Sequence, residues 1–189
     1  MVHIPENVGK YFSDAVEVRE GYSDFFNGLM SIVADGNGRP GLTDEHTGSA
    51  VRDYVMDWLA SHPLVGFDEY SDKSYVRTYI GKSRETGWEA IVMTWKQGSS
   101  TTIHGHPCFA SYNFADGTFQ VEIFEKVSDD TARLVDTVVV DSPEGFYAIG
   151  EAGTFDNHIH RITCLSPTGH SLHVYSDDAR RGLLFSAED

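Results

Sequence analysis

The chain has 189 residues, 40% hydrophobic and 12% aromatic, a composition that supports a folded unit with a sizeable core and argues against disorder. Its 14 basic and 29 acidic residues give a formal net charge of −15, which repels phosphate backbones and anionic lipid surfaces, so nucleic-acid and membrane partners are disfavoured and solubility is the simplest use of the charge. Met1 to Phe12 has no basic stretch followed by an apolar run, no segment holds 18 consecutive apolar residues, and Cys108 and Cys164 form no CxxC pair; a cytoplasmic, reducing location is expected.

In chain order, the first third reads as helical. Between Ser13 and Ala34 the spacing of Val16, Phe25, Phe26, Leu29, Ile32 and Val33 predicts an amphipathic helix, weakened by Gly21 and Gly28. A glycine-rich loop, Asp35 to Leu42, follows. The second helix is clearer: Val51, Tyr54, Val55, Trp58 and Leu59 recur at helical spacing, Asp44 and Glu45 stand upstream, and His62-Pro63 ends it. After about Ser74 the pattern becomes short strands: Tyr75–Ile80, Trp88–Trp95, Ser111–Phe114, Thr118–Glu125, Ala132–Val140, Gly145–Ile149, His158–Thr163, Ser171–Tyr175 and Gly182–Phe185. Asp116-Gly117, Ser128 to Asp130 and Ser166 to Gly169 lie between such runs and predict hairpin turns. Many short antiparallel strands close most naturally into a barrel or jelly roll, which removes exposed edges. The expectation is one mainly β domain over residues 1–189, with a helical part (1–73) packed outside a barrel (74–189).

Four of the nine histidines fall in two HxH pairs, His104-Gly105-His106 and His158-Ile159-His160. Residues i and i+2 of a strand share a face, so each pair can aim two imidazoles into one space. A lone inward histidine is ordinarily a hydrogen-bonded core residue; two pairs 54 residues apart shift the balance to a metal. His3, His46, His62 and His170 have structural explanations that serve equally well. Gly98, five intervening residues, His104-x-His106 and then Gly117 resemble the first cupin motif without its glutamate, whose place is taken by Ala110. An all-imidazole ligand set is neutral, so a divalent metal there keeps its charge for anionic ligands such as a thiolate.

Four segments together carry a further resemblance: Tyr75-Val76-Arg77-Thr78, Thr102-Ile103-His104-Gly105-His106, Ile159-His160-Arg161 and Ser171-Leu172-His173-Val174-Tyr175-Ser176. In this order the chain resembles the thiol dioxygenases of the cupin superfamily, cysteine dioxygenase above all, over roughly Ser74 to Ser176. The resemblance implies a cupin jelly roll in which His104, His106 and His160 hold Fe(2+). It also implies that Arg77, with Tyr75 beside it, anchors a substrate carboxylate, and that Ser171, His173 and Tyr175 form a hydrogen-bonded chain presenting the Tyr175 hydroxyl. The implied reaction is oxidation of a small thiol by O2 to its sulfinic acid, L-cysteine first, with the thiol and O2 the only partners and a monomer compatible.

Three positions are left open or depart from the family. His158 is a partner of a ligand, an alternative third ligand or a solvated neighbour. Ser111 stands five residues after His106, where animal cysteine dioxygenases carry a cysteine that crosslinks to the active-site tyrosine, and Cys108 reads as a buried free cysteine. Thr78 replaces the asparagine that often follows the arginine. Dioxygenases for 3-mercaptopropionate, mercaptosuccinate or cysteamine remain as alternatives, the dicarboxylate calling for a second cation, for which Arg161 is the nearby candidate. A metal-dependent cupin lyase or isomerase, or a non-enzymatic binding cupin, are the readings from other classes.

Overall fold

The computed structural model describes residues 15–36 and 44–188. The segment Met1–Phe12, His3 with it, and most of the loop Asp35–Leu42 lie outside the described residues. Two helices, α1 (Ser23–Asp35) and α2 (Glu45–Ser61), follow a short strand β1 (Ala15–Val18). The strands β2 (Val76–Ser83), β3 (Glu89–Lys96), β4 (Ile103–His106), β5 (Phe109–Asp116), β6 (Thr118–Lys126), β7 (Thr131–Asp141), β8 (Glu144–Ile149), β9 (Asn157–Cys164), β10 (Thr168–Tyr175) and β11 (Leu184–Ala187) make up the rest.

The strands divide between two sheets. One runs β1-β2-β3-β10-β5-β8; the other closes on itself in the order β11-β4-β9-β6-β7. From β3 onward the chain passes repeatedly from one sheet to the other, the wiring of a jelly roll, and the mainly β expectation with helices outside is met. Two of the three predicted hairpins are corrected by this wiring. Asp116-Gly117 and Ser166–Gly169 lie where the chain crosses between sheets, β5 to β6 and β9 to β10, and they pack against each other. A Cβ on Gly117, whose φ is +90°, would sit 2.7 Å from Ser166 Oγ and 2.9 Å from the Gly169 Cα. Of the three, Ser128–Asp130 alone closes a hairpin, with the Val127 and Ser128 amides donating to the Thr131 carbonyl.

The first predicted helix is also corrected. Ala15–Val18 pairs antiparallel with β2, Gly21 turns at φ +83°, and α1 starts only at Ser23. Gly28, which weakened the helix on propensity, permits close approach of α2: Tyr54 donates its hydroxyl hydrogen to the Phe25 carbonyl at 2.9 Å, and a Cβ on Gly28 would collide with that hydroxyl.

Alternation along the strands builds two cores. Ala90 and Val92 of β3 and Leu172 and Val174 of β10 face the helices, packing with Phe25, Phe26, Leu29, Val51 and Val55. Ile91, Met93 and Trp95 of β3, with Tyr175 of β10, face the space between the sheets. Both faces of these central strands are buried, which explains their near-continuous apolar reading.

His170, at the start of β10, is structural. It lies buried with one ring nitrogen 2.9 Å from the Asp116 carboxylate and the other 2.9 Å from the Phe67 carbonyl. Only the imidazolium donates to both. Burial pulls its pKa down, but the Asp116 hydrogen bond and charge and the Phe67 carbonyl outweigh it, and the net shift is upward. Its contribution to stability is therefore complete below the unfolded-state pKa of about 6.5 and is lost as pH rises through the higher folded value. Replacing His170 by Asn should flatten the fall in the unfolding midpoint as pH rises above about 6.5; an unchanged slope in the variant would contradict the assignment.

Candidate metal centre

His104 and His106 lie on β4, and His160 lies opposite His104 in the β4–β9 ladder. Gly105 between the first pair is fixed by crowding: a Cβ there would meet the Asp156 Cα at 2.5 Å and the Phe155 carbonyl oxygen at 2.7 Å, both backbone atoms that cannot swing aside. The three rings converge, with candidate ligand atoms all within 4.8 Å of one another. The group contains no carboxylate and no thiolate.

Hydrogen bonds on the far side of the rings decide which nitrogen faces the centre. His104 Nδ1 lies 2.9 Å from the Thr102 carbonyl oxygen and His106 Nδ1 3.1 Å from that of Asn157. A carbonyl only accepts, so each Nδ1 carries the hydrogen, and in a neutral ring the Nε2 keeps its lone pair. The two Nε2 atoms are 3.1 Å apart, and His160 Nε2 is buried with no hydrogen-bond partner. Burial, reinforced by the neighbouring imidazoles, holds the pKa of all three below the ordinary histidine value, well below for His106 and His160. Neutral rings with converging lone pairs are in the state a metal requires. A cation between them relieves the lone-pair repulsion and satisfies the orphaned nitrogen, so these residues fit a metal ion. His158 places its Nδ1 3.2 Å from His160 Nδ1 with φ at +46°. It contacts the back of the third ring and does not join the converging group.

Beside the histidines a cavity of about 40 Å³ is lined by Tyr75, Arg77, Met93, Thr101, His173 and Tyr175. Arg77 reaches it from β2, half-buried, with its Nε buried and unpartnered and no carboxylate paired to it among the described residues. Ser171, His173 and Tyr175 form the expected chain: Ser171 Oγ is 2.7 Å from His173 Nε2, and His173 Nδ1 is 3.0 Å from the Tyr175 hydroxyl. Trp95 sets its direction. The indole Nε1 donates to Ser171 Oγ at 2.9 Å, and the buried serine hydrogen has His173 Nε2 as its acceptor; with it placed there, the His173 Nδ1–H goes to the Tyr175 oxygen and the phenol hydrogen is left for the cavity. Burial brings the His173 pKa down to about 3 and pushes that of Tyr175 up. The ring is neutral and the phenol protonated throughout the physiological range.

Arg161 is not brought into the group. On β9 the residues His158, His160 and Ile162 face the space between the sheets, and Arg161 faces the opposite way, bound to both oxygens of Glu122 at 2.5 and 2.6 Å. Ser111 also faces away, accepting from Asn113 Nδ2. Ala110 stands opposite Tyr175 in the ladder, and the Cys108 thiol donates to the Gly150 carbonyl. Trp95 and Tyr112 were not singled out from sequence. Tyr112 is buried, its hydroxyl unpartnered and its ring centroid 4.6 Å from that of His160. Alternation from Ala110 was the signal that places it on the inner face.

No protein-family model matches the chain, and no curated protein sequence matches it. Among solved structures, a cupin superfamily protein from Desulfitobacterium hafniense aligns over 61% of this chain and 89% of its own, at 10% identity and a TM-score of 0.45. A Klebsiella pneumoniae protein with a double-stranded β-helix domain aligns over 64% and 87%, at 11% identity and a TM-score of 0.48. Oxalate oxidase aligns over 60% of this chain and 56% of its own, at 13% identity and a TM-score of 0.45. Among the described residues, no helix is long and apolar enough to cross a membrane.

Gly105→Ala should displace β4 from the Phe155–Asp156 backbone and lower divalent-metal affinity by roughly 10–100-fold, measured with cobalt(II) by chelator competition. An affinity equal to that of the native protein would contradict the role given to Gly105.

Proposed function

We propose that the chain is a metal-dependent cupin enzyme that uses iron(II) and dioxygen to oxidise a small carboxylate-bearing thiol to its sulfinic acid, L-cysteine foremost. The observation that carries the reading is the juxtaposition, in one 40 Å³ cavity, of three convergent neutral imidazoles, an arginine without a carboxylate partner among the described residues and a protonated tyrosine. When bound, iron(II) would supply a site for the thiolate and the redox chemistry with dioxygen. The overall change balances as thiol plus dioxygen giving sulfinate and a proton.

The protein residues supply the rest. Arg77 offers a fixed positive charge and forked donors to a carboxylate. The Tyr175 hydrogen, aimed by Trp95, Ser171 and His173, is a donor for charge that develops on oxygen. The cavity's size favours a small substrate. The pairing of Arg161 with Glu122 removes the second cation that mercaptosuccinate would call for, and an amine such as cysteamine gains nothing from Arg77. L-cysteine and 3-mercaptopropionate remain the best fits. Two free buried cysteines agree with a reducing, cytoplasmic setting.

The test is oxygen uptake by anaerobically iron(II)-loaded protein with L-cysteine, 3-mercaptopropionate, mercaptosuccinate and cysteamine in parallel, with sulfinate quantified. Uptake matched by sulfinate is expected for the monocarboxylate thiols, and Arg77→Met should raise their KM by roughly 10–100-fold, the worth of a charged hydrogen bond. No uptake with any thiol would overturn the reading in favour of a cupin lyase or binding protein using the same histidines.

A further inference from the structure

A second and larger cavity lies on the other side of His160. It measures about 130 Å³ and shares two residues, His160 and Ile162, with the small cavity that holds Arg77 and Tyr175. Its remaining wall is mostly apolar, with Phe114, Val121, Ile123 and Val140 contributed by β5, β6 and β7. The mouth lies between β7 and β8, where Val138 and Phe146 are 38% and 39% exposed. A largely apolar lining, interrupted by Tyr112, Tyr147 and His158, therefore runs from the surface to His160, a candidate metal ligand.

The two cavities suit different reagents. A water molecule needs two to four polar partners to stay in a cavity, and an apolar void of about 150 Å³ remains dry and takes up xenon or benzene. The larger cavity is of similar volume and mostly apolar, but it opens to solvent beside Val138 and Phe146 and carries Tyr112 and His158 at its inner end, so it is the stretch between Val121, Val140 and Ile162 that suits such a molecule. A zwitterionic or carboxylate-bearing molecule entering it would lose its hydration without a compensating charge, a cost of several kcal/mol per ion. Arg77 offers that compensation only on the other side of His160. Nor does the small polar cavity have room for two reagents to pass one another.

We infer that the larger cavity is an apolar antechamber for dioxygen, which reaches the metal centre past His160 and Ile162 while the thiol enters on the Arg77 side. The occupant rests on the proposed oxygen chemistry; the cavity's affinity for a small apolar molecule does not. Tyr112, with its buried unpartnered hydroxyl, and His158, beside His160, are the polar groups close to where such a molecule would leave the chamber.

Xenon is the probe. In crystals of the native protein under xenon pressure, a xenon atom is expected between Val121, Val140 and Ile162, and Val138→Phe, which fills the mouth, should exclude it. In iron(II)-loaded protein the same variant should raise the KM for oxygen by roughly fivefold or more while leaving the thiol KM and iron content unchanged. Phe146→Ala, which widens the mouth, should leave both constants near native. Absence of xenon from the native cavity would overturn the inference, as would an oxygen KM unmoved in a variant that excludes xenon. A rise in thiol KM alone would overturn it too and give the chamber to the substrate. If the native protein consumes no oxygen with any thiol, the proposed function and dioxygen as occupant fall together, and xenon occupancy still reports whether an apolar ligand site exists. Xenon absent while thiol-dependent uptake persists removes only the antechamber.

Discussion

Two imidazole lone pairs held 3.1 Å apart are repulsive unless something positive lies between them, and the carbonyls of Thr102 and Asn157 leave these rings no other orientation while they stay neutral. Burial enforces neutrality, because desolvation penalises the imidazolium and each ring discourages charge on the next. The third ring adds a nitrogen with no partner at all. A buried polar atom left unsatisfied costs about 1–3 kcal/mol, so the arrangement is explained if a cation completes it. The irregular β4–β9 pairing, the glycine between the histidines and the far-side acceptors all serve that convergence.

The remaining polar machinery depends on a single strand with two faces. Leu172 and Val174 of β10 anchor the helical layer, while Ser171, His173 and Tyr175 point the other way and form a directed chain of donors. The indole can only donate, and His173 is the acceptor for the buried serine hydrogen, so satisfying each donor along the chain delivers the last hydrogen to the cavity. Packing of α1 and α2 against the outer face thus holds the register of the inner one. Glycine at Gly28 and at Gly81, where a Cβ would meet the Phe26 ring at 2.7 Å, lets the helices lie that close.

Much of this was legible in the sequence, for a common reason. Period-2 alternation needs only local information, so the strands, the paired histidines and the shared face of Ser171, His173 and Tyr175 followed from spacing. Partner choice is not local. Asp116-Gly117 and Ser166–Gly169 have the composition of hairpin turns, but turn chemistry does not say whether the next strand joins the same sheet or crosses to the other. Val16 lay in a run that helical spacing could absorb, yet it belongs to a strand that ends before the turn at Gly21. Arg161 adjoins a candidate ligand in sequence and therefore faces away from it in a strand, a consequence of the same alternation. Trp95 and Tyr112 sat on predicted strands without a motif, and only the packing between sheets gives them partners.

His104, His106 and His160 are assigned as one metal site per chain. Protein loaded anaerobically with iron(II) and freed of unbound metal by gel filtration should retain one iron per chain, and His106→Ala, treated identically and folded by circular dichroism, should retain almost none. Full retention by the variant, or none by the native protein, would contradict the account.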